Sequence, residues 1–329
     1  MTTDDLSSPF AGIALKAVGV NGIRMRYADT GGDGPMVLFC HGWPESWYSW
    51  RHQLVALSQA GYRCVAPDMR GYGGTDAPDS VDQYTLFHLV GDLTSLVQSL
   101  DGERAVIVGH DWGAAVAWHA ALWRPDLFVA VAGMSVPYSP PAAVNTLTRL
   151  ETLGISDFYL QYFQTPGVAE AELEADARTA LRRIYLSAGG EHPIEVFSYL
   201  REGTLLGNTV NPPSLPSWLT EEDLGYYSSE FSRSGFRGGL NWYRNIQRNW
   251  ELSRPWRDQP ITQPSLFLAG NKDGVLEFPW AKAQISAFPA TLPGLRNSRL
   301  VDGAGHWVQQ ERPDESNRIL LDFLRNLTL

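Results

Sequence analysis

Cysteine is nearly absent: the 329-residue chain holds two, Cys40 and Cys64, both inside apolar, strand-like stretches. Thiols so placed read as small core residues, which argues against a disulfide or a metal pair and fits a reducing compartment. Blocks of like charge are missing too. Lys and Arg number 26 against 36 Asp and Glu, a formal charge of -10 spread along the chain, which speaks against nucleic acid or an anionic membrane surface as partner. No run approaches the roughly eighteen apolar residues that a membrane span needs. Met1 to Phe10 carries two acids, no basic residue and no apolar leader core. The expectation is a cytoplasmic protein without internal repeats or low-complexity segments.

What the chain does have is an alternation of periods. From about Ile13 to Thr30 the pattern alternates around Asn21-Gly22, which predicts two antiparallel strands joined by a hairpin. Met36 to Cys40 is continuously apolar, as a strand covered on both faces must be, and Arg63 to Ala66 and Arg104 to Val108 follow the same rule. Helix-period segments lie between them, Trp47 to Gly61 and Leu86 to Leu100, and Ala114 to Trp123 leads to a further strand at Phe128 to Met134. This βαβ series predicts an α/β fold with a mostly parallel sheet. The rhythm then stops. From about Pro137 to Trp256 the patterns are helical, as at Val168 to Ser187 and Glu221 to Phe231, with no buried strand. It resumes at Pro264 to Ala269 and Ser298 to Val301 and closes with a helix from Pro313 to Leu327. An all-helical insertion in an α/β core reads as a lid. The division expected is core 1–137, lid 138–256 and core 257–329.

Gly109-His110-Asp111-Trp112-Gly113 joins the strand ending at Val108 to the helical run from Ala114. Glycines two residues either side of a central residue allow the sharp strand-to-helix turn of the nucleophile elbow, G-x-S-x-G. Here the serine is replaced by Asp111, and the chemistry changes with it. A serine alkylated by a carbon electrophile becomes an ether, which activated water cleaves poorly; an aspartate becomes an ester, which water can hydrolyse. The elbow therefore points away from acyl transfer and toward displacement at carbon.

Such an ester needs a base, and at neutral pH that means histidine. Of seven, His52, His88 and His119 fall in helical runs and read as packed or exposed side chains, and His192 carries no signal. His110 abuts the nucleophile but points elsewhere, and His41 reads as a loop-holding residue. His306 stands in Gly303-Ala304-Gly305-His306-Trp307, between the last strand and the last helix, and is the only histidine after the lid. Loops at the carboxyl ends of parallel strands are where α/β sheets place their sites. Asp273, just after the strand ending at Ala269, is the acid expected to orient it, with Asp302 as competitor. Backbone N–H groups of Trp43, in His41-Gly42-Trp43-Pro44, and of Trp112 are the expected oxyanion hole, Pro44 being a candidate cis residue.

The stretch from His41-Gly42-Trp43-Pro44-Glu45-Ser46-Trp47 to Arg51, the elbow, Gly303 to Trp307, and two lid stretches, Gln161 to Gly167 and Asn241 to Asn245, resemble soluble epoxide hydrolases of the α/β-hydrolase fold. The resemblance covers nearly the whole chain from about residue 13. It implies two lid tyrosines that hold the epoxide oxygen and protonate the leaving alkoxide; by motif these are Tyr243 and Tyr159, with Tyr162 as a competitor for the second place. It also implies a reaction with no cofactor and no metal, and an apolar epoxide and water as the molecules met. Trp43, Trp112, Trp242 and Trp307 suggest an apolar pocket between core and lid. A homodimer is compatible with this reading, since nothing separates a dimer contact from ordinary surface. The rivals are a haloalkane dehalogenase, which shares the aspartate and the ester, and a non-catalytic ligand-binding protein on the same fold.

Overall fold

The computed structural model describes residues 10–192, 196–200, 202–278 and 280–328; Met1 to Pro9, the acidic stretch without leader character, lies outside them. Eight strands are found among the described residues: β1 (Ala14–Val20), β2 (Ile23–Asp29), β3 (Met36–Cys40), β4 (Arg63–Pro67), β5 (Ala105–His110), β6 (Phe128–Met134), β7 (Ser265–Gly270) and β8 (Leu295–Val301). They form one sheet in the order β1-β2-β4-β3-β5-β6-β7-β8. β1 and β2 are the expected hairpin. Its turn places Asn21 at φ 43° and Gly22 at φ 81°, the left-handed pair that a two-residue loop needs to match strand twist. β2 also pairs antiparallel with β4, and every later pairing is parallel. All residues of β3, β5 and β7 are buried, which is why they read as unbroken apolar runs.

Several boundaries moved for local reasons. The segment Trp47 to Gly61 divides into a 3-10 turn, Trp47–Trp50, started by Ser46, and a helix, Arg51–Gln59. Val168 to Ser187 is two helices, Val168–Glu174 and Ala177–Ala188. Asp176 separates them by accepting the Thr179 N–H at 3.0 Å, an N-cap that begins a new helix. β8 begins at Leu295 rather than Ser298, because an edge strand with exposed residues carries no apolar signal. Between β6 and β7 the described residues form helices and turns, with one isolated bridge from Phe158 to Tyr199 that the pattern did not announce. No helix among the described residues is long and apolar enough to cross a membrane. Cys40 and Cys64 are both free and buried.

The parallel order has one consequence for everything that follows. The carboxyl ends of β3, β5, β7 and β8 lie on one side of the sheet, so the His41 loop, the Asp111 elbow, Asp273 and the His306 loop converge there.

Candidate active site

Asp111 is the hinge residue between β5 and the helix Trp112–Trp123, at φ 54° and ψ -121°. A non-glycine residue at positive φ is strained and persists only where its surroundings over-determine it. The two glycines of the elbow supply that constraint. A Cβ on Gly109 would lie 2.0 Å from the Gly113 carbonyl oxygen, and one on Gly113 would lie 2.0 Å from the Cys40 carbonyl oxygen. Backbone packs on backbone at both positions, which locks the turn. The Trp43 N–H donates to Asp111 Oδ1 at 2.8 Å, and the Trp112 N–H is directed at the same carboxylate. The Trp43-Pro44 peptide is cis. Burial pushes the Asp111 carboxyl up from its ordinary value, opposed by His306, His110 and these two amides.

His306 is buried beside it. Its Nε2 lies 3.7 Å from Asp111 Oδ2 and makes no hydrogen bond among the described residues, while Nδ1 faces both Asp273 oxygens at 3.1 and 3.2 Å. With a carboxylate on that side, Nδ1 carries the hydrogen, and Nε2 is the nitrogen left for chemistry. Asp273 is held by its position at the start of a 3-10 turn, where Oδ1 accepts the Val275 N–H at 3.0 Å. Burial would raise its pKa, but His306, the Val275 amide and Ser135 outweigh it and hold the carboxyl below its ordinary value. Burial would likewise lower His306; Asp273, then Asp111 and Glu45, overcome this and raise it to about 9. Asp302 instead accepts from Asn271 Nδ2 at 2.7 Å, away from the imidazole.

Asp111 opens into a cavity of about 200 Å3 that Tyr159 and Tyr243 also line. Their rings are 6.1 Å apart at 77°. Burial, and after it the Asp111 charge, raises both phenols above their ordinary pKa, so both remain proton donors. Tyr162 does not join them: its hydroxyl donates to Glu172 Oε2 at 2.8 Å. Of the four tryptophans, Trp112 lines the cavity, whereas Trp43, Trp242 and Trp307 are fully buried behind it.

The chain matches the α/β hydrolase fold family over residues 35–313. It is 43% identical over 322 residues to epoxide hydrolase A of Mycobacterium tuberculosis, covering 95% of this chain and 98% of the relative. Among solved structures, an epoxide hydrolase from an endophytic Streptomyces superposes with a TM-score of 0.90 at 46% identity, covering 95% and 96% of the two chains. Potato epoxide hydrolase I does so with a TM-score of 0.88 at 39% identity, covering 96% and 100%. The chain belongs to the epoxide hydrolases of the α/β-hydrolase fold.

Three parts of this epoxide hydrolase site escaped sequence reasoning. Glu45, fully buried, accepts the Gly42 N–H at 2.7 Å and meets His110 Nδ1 at 2.7 Å, while His110 Nε2 reaches the His306 carbonyl at 2.7 Å. His110 thus ties the Trp43 loop to the His306 loop. Burial alone would raise Glu45, but His110, His41 and the Gly42 amide bring it to about 2. Glu311 accepts amides from Gly190, Gly305 and Trp307 at 2.8, 3.0 and 3.0 Å, and the His306 N–H donates to the Ala188 carbonyl at 2.9 Å. The helical insertion is therefore stitched to the His306 loop. Lastly, Val275, Phe278 and Trp280 line the cavity beyond Asp273. The first left as its signal a carboxylate within the stretch from His41 to Arg51, the second a carboxylate just after Trp307, and the third an apolar trio after Asp273.

Proposed function

We propose that the protein hydrolyses an apolar epoxide to a vicinal diol through an ester on Asp111. The observation that carries this is the sharing of one cavity by Asp111, Tyr159 and Tyr243. Asp111 Oδ2, on the His306 side, attacks an epoxide carbon while Oδ1 stays on the Trp43 amide and the Trp112 amide faces the carboxylate. The strained C–O bond breaks, and its oxygen takes a proton from Tyr159 or Tyr243, a step a poor alkoxide leaving group requires. His306, oriented by Asp273, then takes a proton from water, which attacks the ester carbonyl. The resulting oxyanion forms at Oδ1, where the Trp43 amide already points; its collapse breaks the bond between the Asp111 acyl carbon and the ester oxygen, the departing diol oxygen takes the proton that His306 drew from water, and Asp111 is restored as a carboxylate.

The charges time the two halves. While Asp111 is ionised it helps hold His306 at about 9, hence protonated near neutrality. Alkylation removes that negative charge, the imidazolium loses a partner, and its pKa falls toward the range in which it serves as base. No cofactor or metal enters the scheme, and epoxide and water are the only molecules required. In this reading residues 138–256 act as a cap on a core built from 1–137 and 257–329, in the cytoplasm, where the two free thiols are at home.

A dehalogenase would use the same ester but has no alkoxide to protonate, which leaves two buried phenols beside the nucleophile without a task. The deciding experiment is a single turnover of styrene oxide in heavy-oxygen water. Label is expected in the Asp111 carboxylate before it reaches the diol; label in the first-turnover diol would overturn the ester route. Halide release from a haloalkane such as 1-bromobutane, with no diol formed from styrene oxide, would replace the epoxide reading with the dehalogenase one.

A further inference from the structure

Of the insertion stretches Gln161 to Gly167 and Asn241 to Asn245, only Tyr243 enters the chemistry above. Two other side chains in them join the elements that carry the phenols. Tyr159 begins a helix of a single turn, Tyr159–Tyr162, and Tyr243 stands in the last turn of the helix Arg237–Arg244. A one-turn helix is too short to fix its own direction, and carbonyls in the last turn of a helix have no regular partner ahead of them. Gln164 meets both needs: its Nε2 donates to the Leu160 carbonyl at 2.7 Å and to the Tyr243 carbonyl at 3.1 Å. One amide nitrogen thus holds the backbone beside Tyr159 to the backbone of Tyr243.

Arg244 makes the reciprocal link. Its Nε donates to the Phe163 carbonyl at 3.1 Å, its Nη1 to Asn241 Oδ1 at 2.9 Å, and its Nη2 lies 2.7 Å from the Glu170 carboxylate. Glu170 in turn accepts the Gly167 N–H at 2.8 Å, so the guanidinium holds the chain at Phe163 directly and at Gly167 through its partner. The fully buried Phe163 ring packs on both phenols, centred 5.6 Å from the Tyr159 ring and 4.9 Å from the Tyr243 ring, and acts as a spacer between them. The helix of Tyr243 is itself moored to the core, by Trp242 Nε1 on the Arg70 carbonyl at 3.1 Å and Asn245 Nδ2 on the Val81 carbonyl at 2.6 Å. Gln164 and Arg244 carry that fixed position across to Tyr159.

We propose that Gln164 and Arg244 are positioning residues for the epoxide-opening step, holding Tyr159 and Tyr243 where both phenols meet one oxygen. The inference rests on the epoxide hydrolase reading and adds to it the parts that set proton delivery. Asp111 Oδ2 bonds to carbon, the C–O electron pair moves to the oxygen, and one phenol gives that oxygen its proton while the other donates a hydrogen bond. The phenolate left behind recovers its proton from the carboxylic acid that ester hydrolysis returns at Asp111.

The test follows one turnover by rapid quench and mass spectrometry, with 1,2-epoxybutane and with 3,3,3-trifluoro-1,2-epoxypropane. The variants are Gln164→Met, which keeps the length and loses both donors, and Arg244→Lys, which keeps a cation for Glu170 and loses the donor to Phe163. Attack at the terminal carbon leaves the oxygen beside the trifluoromethyl group, which stabilises an alkoxide and lessens its need for a proton. In both variants alkylation of Asp111 by 1,2-epoxybutane is expected to slow about 10- to 100-fold, with ester hydrolysis within about threefold of wild type. The loss is expected to be at least about threefold smaller with the fluorinated epoxide, because less of its barrier depends on the phenols. Equal losses for the two epoxides, hydrolysis slowed as much as alkylation, or alkylation unchanged overturns the proposal. Urea midpoints check folding, and if one variant does not fold the other decides. If the wild type opens no epoxide, the functional reading fails and positioning is judged by the carbonyl stretch of bound acetophenone. A red shift on binding to the wild type that shrinks in the variants supports the proposal; no red shift, or an equal one, overturns it.

Discussion

Two histidines sit side by side in this molecule with ring centroids 4.7 Å apart, both fully buried and both against a carboxylate, and they differ in how many of their ring nitrogens are engaged. His110 has both nitrogens engaged, by Glu45 and by the His306 carbonyl. His306 has one engaged, by Asp273, and keeps Nε2 unpartnered 3.7 Å from Asp111. Pairing with an acid does not make a base. What separates the two is a lone nitrogen left unsatisfied and aimed at the reacting carboxylate, which a protein interior ordinarily avoids.

The comparison is broken most severely by removing that nitrogen. His306→Gln should lower steady-state diol formation by about 10^2- to 10^4-fold, the usual worth of a positioned base. Alkylation should survive, so mass spectrometry after epoxide treatment should find the ester on Asp111 accumulating. Asp273→Asn attacks the same nitrogen indirectly, by presenting an amide where Nδ1 expects an acceptor. Turnover should drop by about 10^2-fold or more, with single-turnover kinetics assigning the loss mainly to ester hydrolysis. His110→Gln makes the contrast: no ester should accumulate and kcat should fall less than about tenfold. The urea midpoint should drop instead, by the equivalent of about 3 kcal/mol, because Glu45 is left buried without its partner. The smallest effect is electrostatic. In Asp111→Asn the His306 imidazole, followed by NMR, should titrate below the wild-type value of about 9, since a negative charge beside it has gone. The same sign governs kinetics: single-turnover ester hydrolysis should rise with pH as His306 deprotonates and level off at a pKa below about 9.

The unequal legibility of the two histidines has a physical basis. His306 stood in a glycine-rich loop after a strand, in an order of nucleophile, acid and histidine that restricts the choice to one residue. His110 and Glu45 meet across sixty-odd residues of chain, and nothing in spacing announces a contact made by three loops at one end of a sheet. The strands β3, β5 and β7 were legible because burial on both faces writes continuous apolar runs; β8 was legible only in part, because its edge residues face solvent. Tyr159 and Tyr162 look alike in sequence, one helical turn apart; the fold distinguishes them by placing Tyr159 on the cavity wall with Asp111 and bonding Tyr162 to Glu172.

Glu311 bears on how such proteins can be recombined. Its carboxylate collects amides from both sides of the boundary between the helical insertion and the α/β core, Gly190 on one side and Gly305 and Trp307 on the other. At that junction a Cβ on Gly190 would lie 2.3 Å from the Gly303 carbonyl oxygen, and one on Gly305 would lie 2.4 Å from the Gly190 nitrogen. The insertion is thus attached to the core away from its two covalent ends, and one of the places of attachment is the backbone of the His306 loop. A chimera that exchanges the insertion at its chain ends alone must reproduce this glycine-to-glycine seam, or it will displace His306 while leaving Asp111, Asp273 and His306 in its sequence.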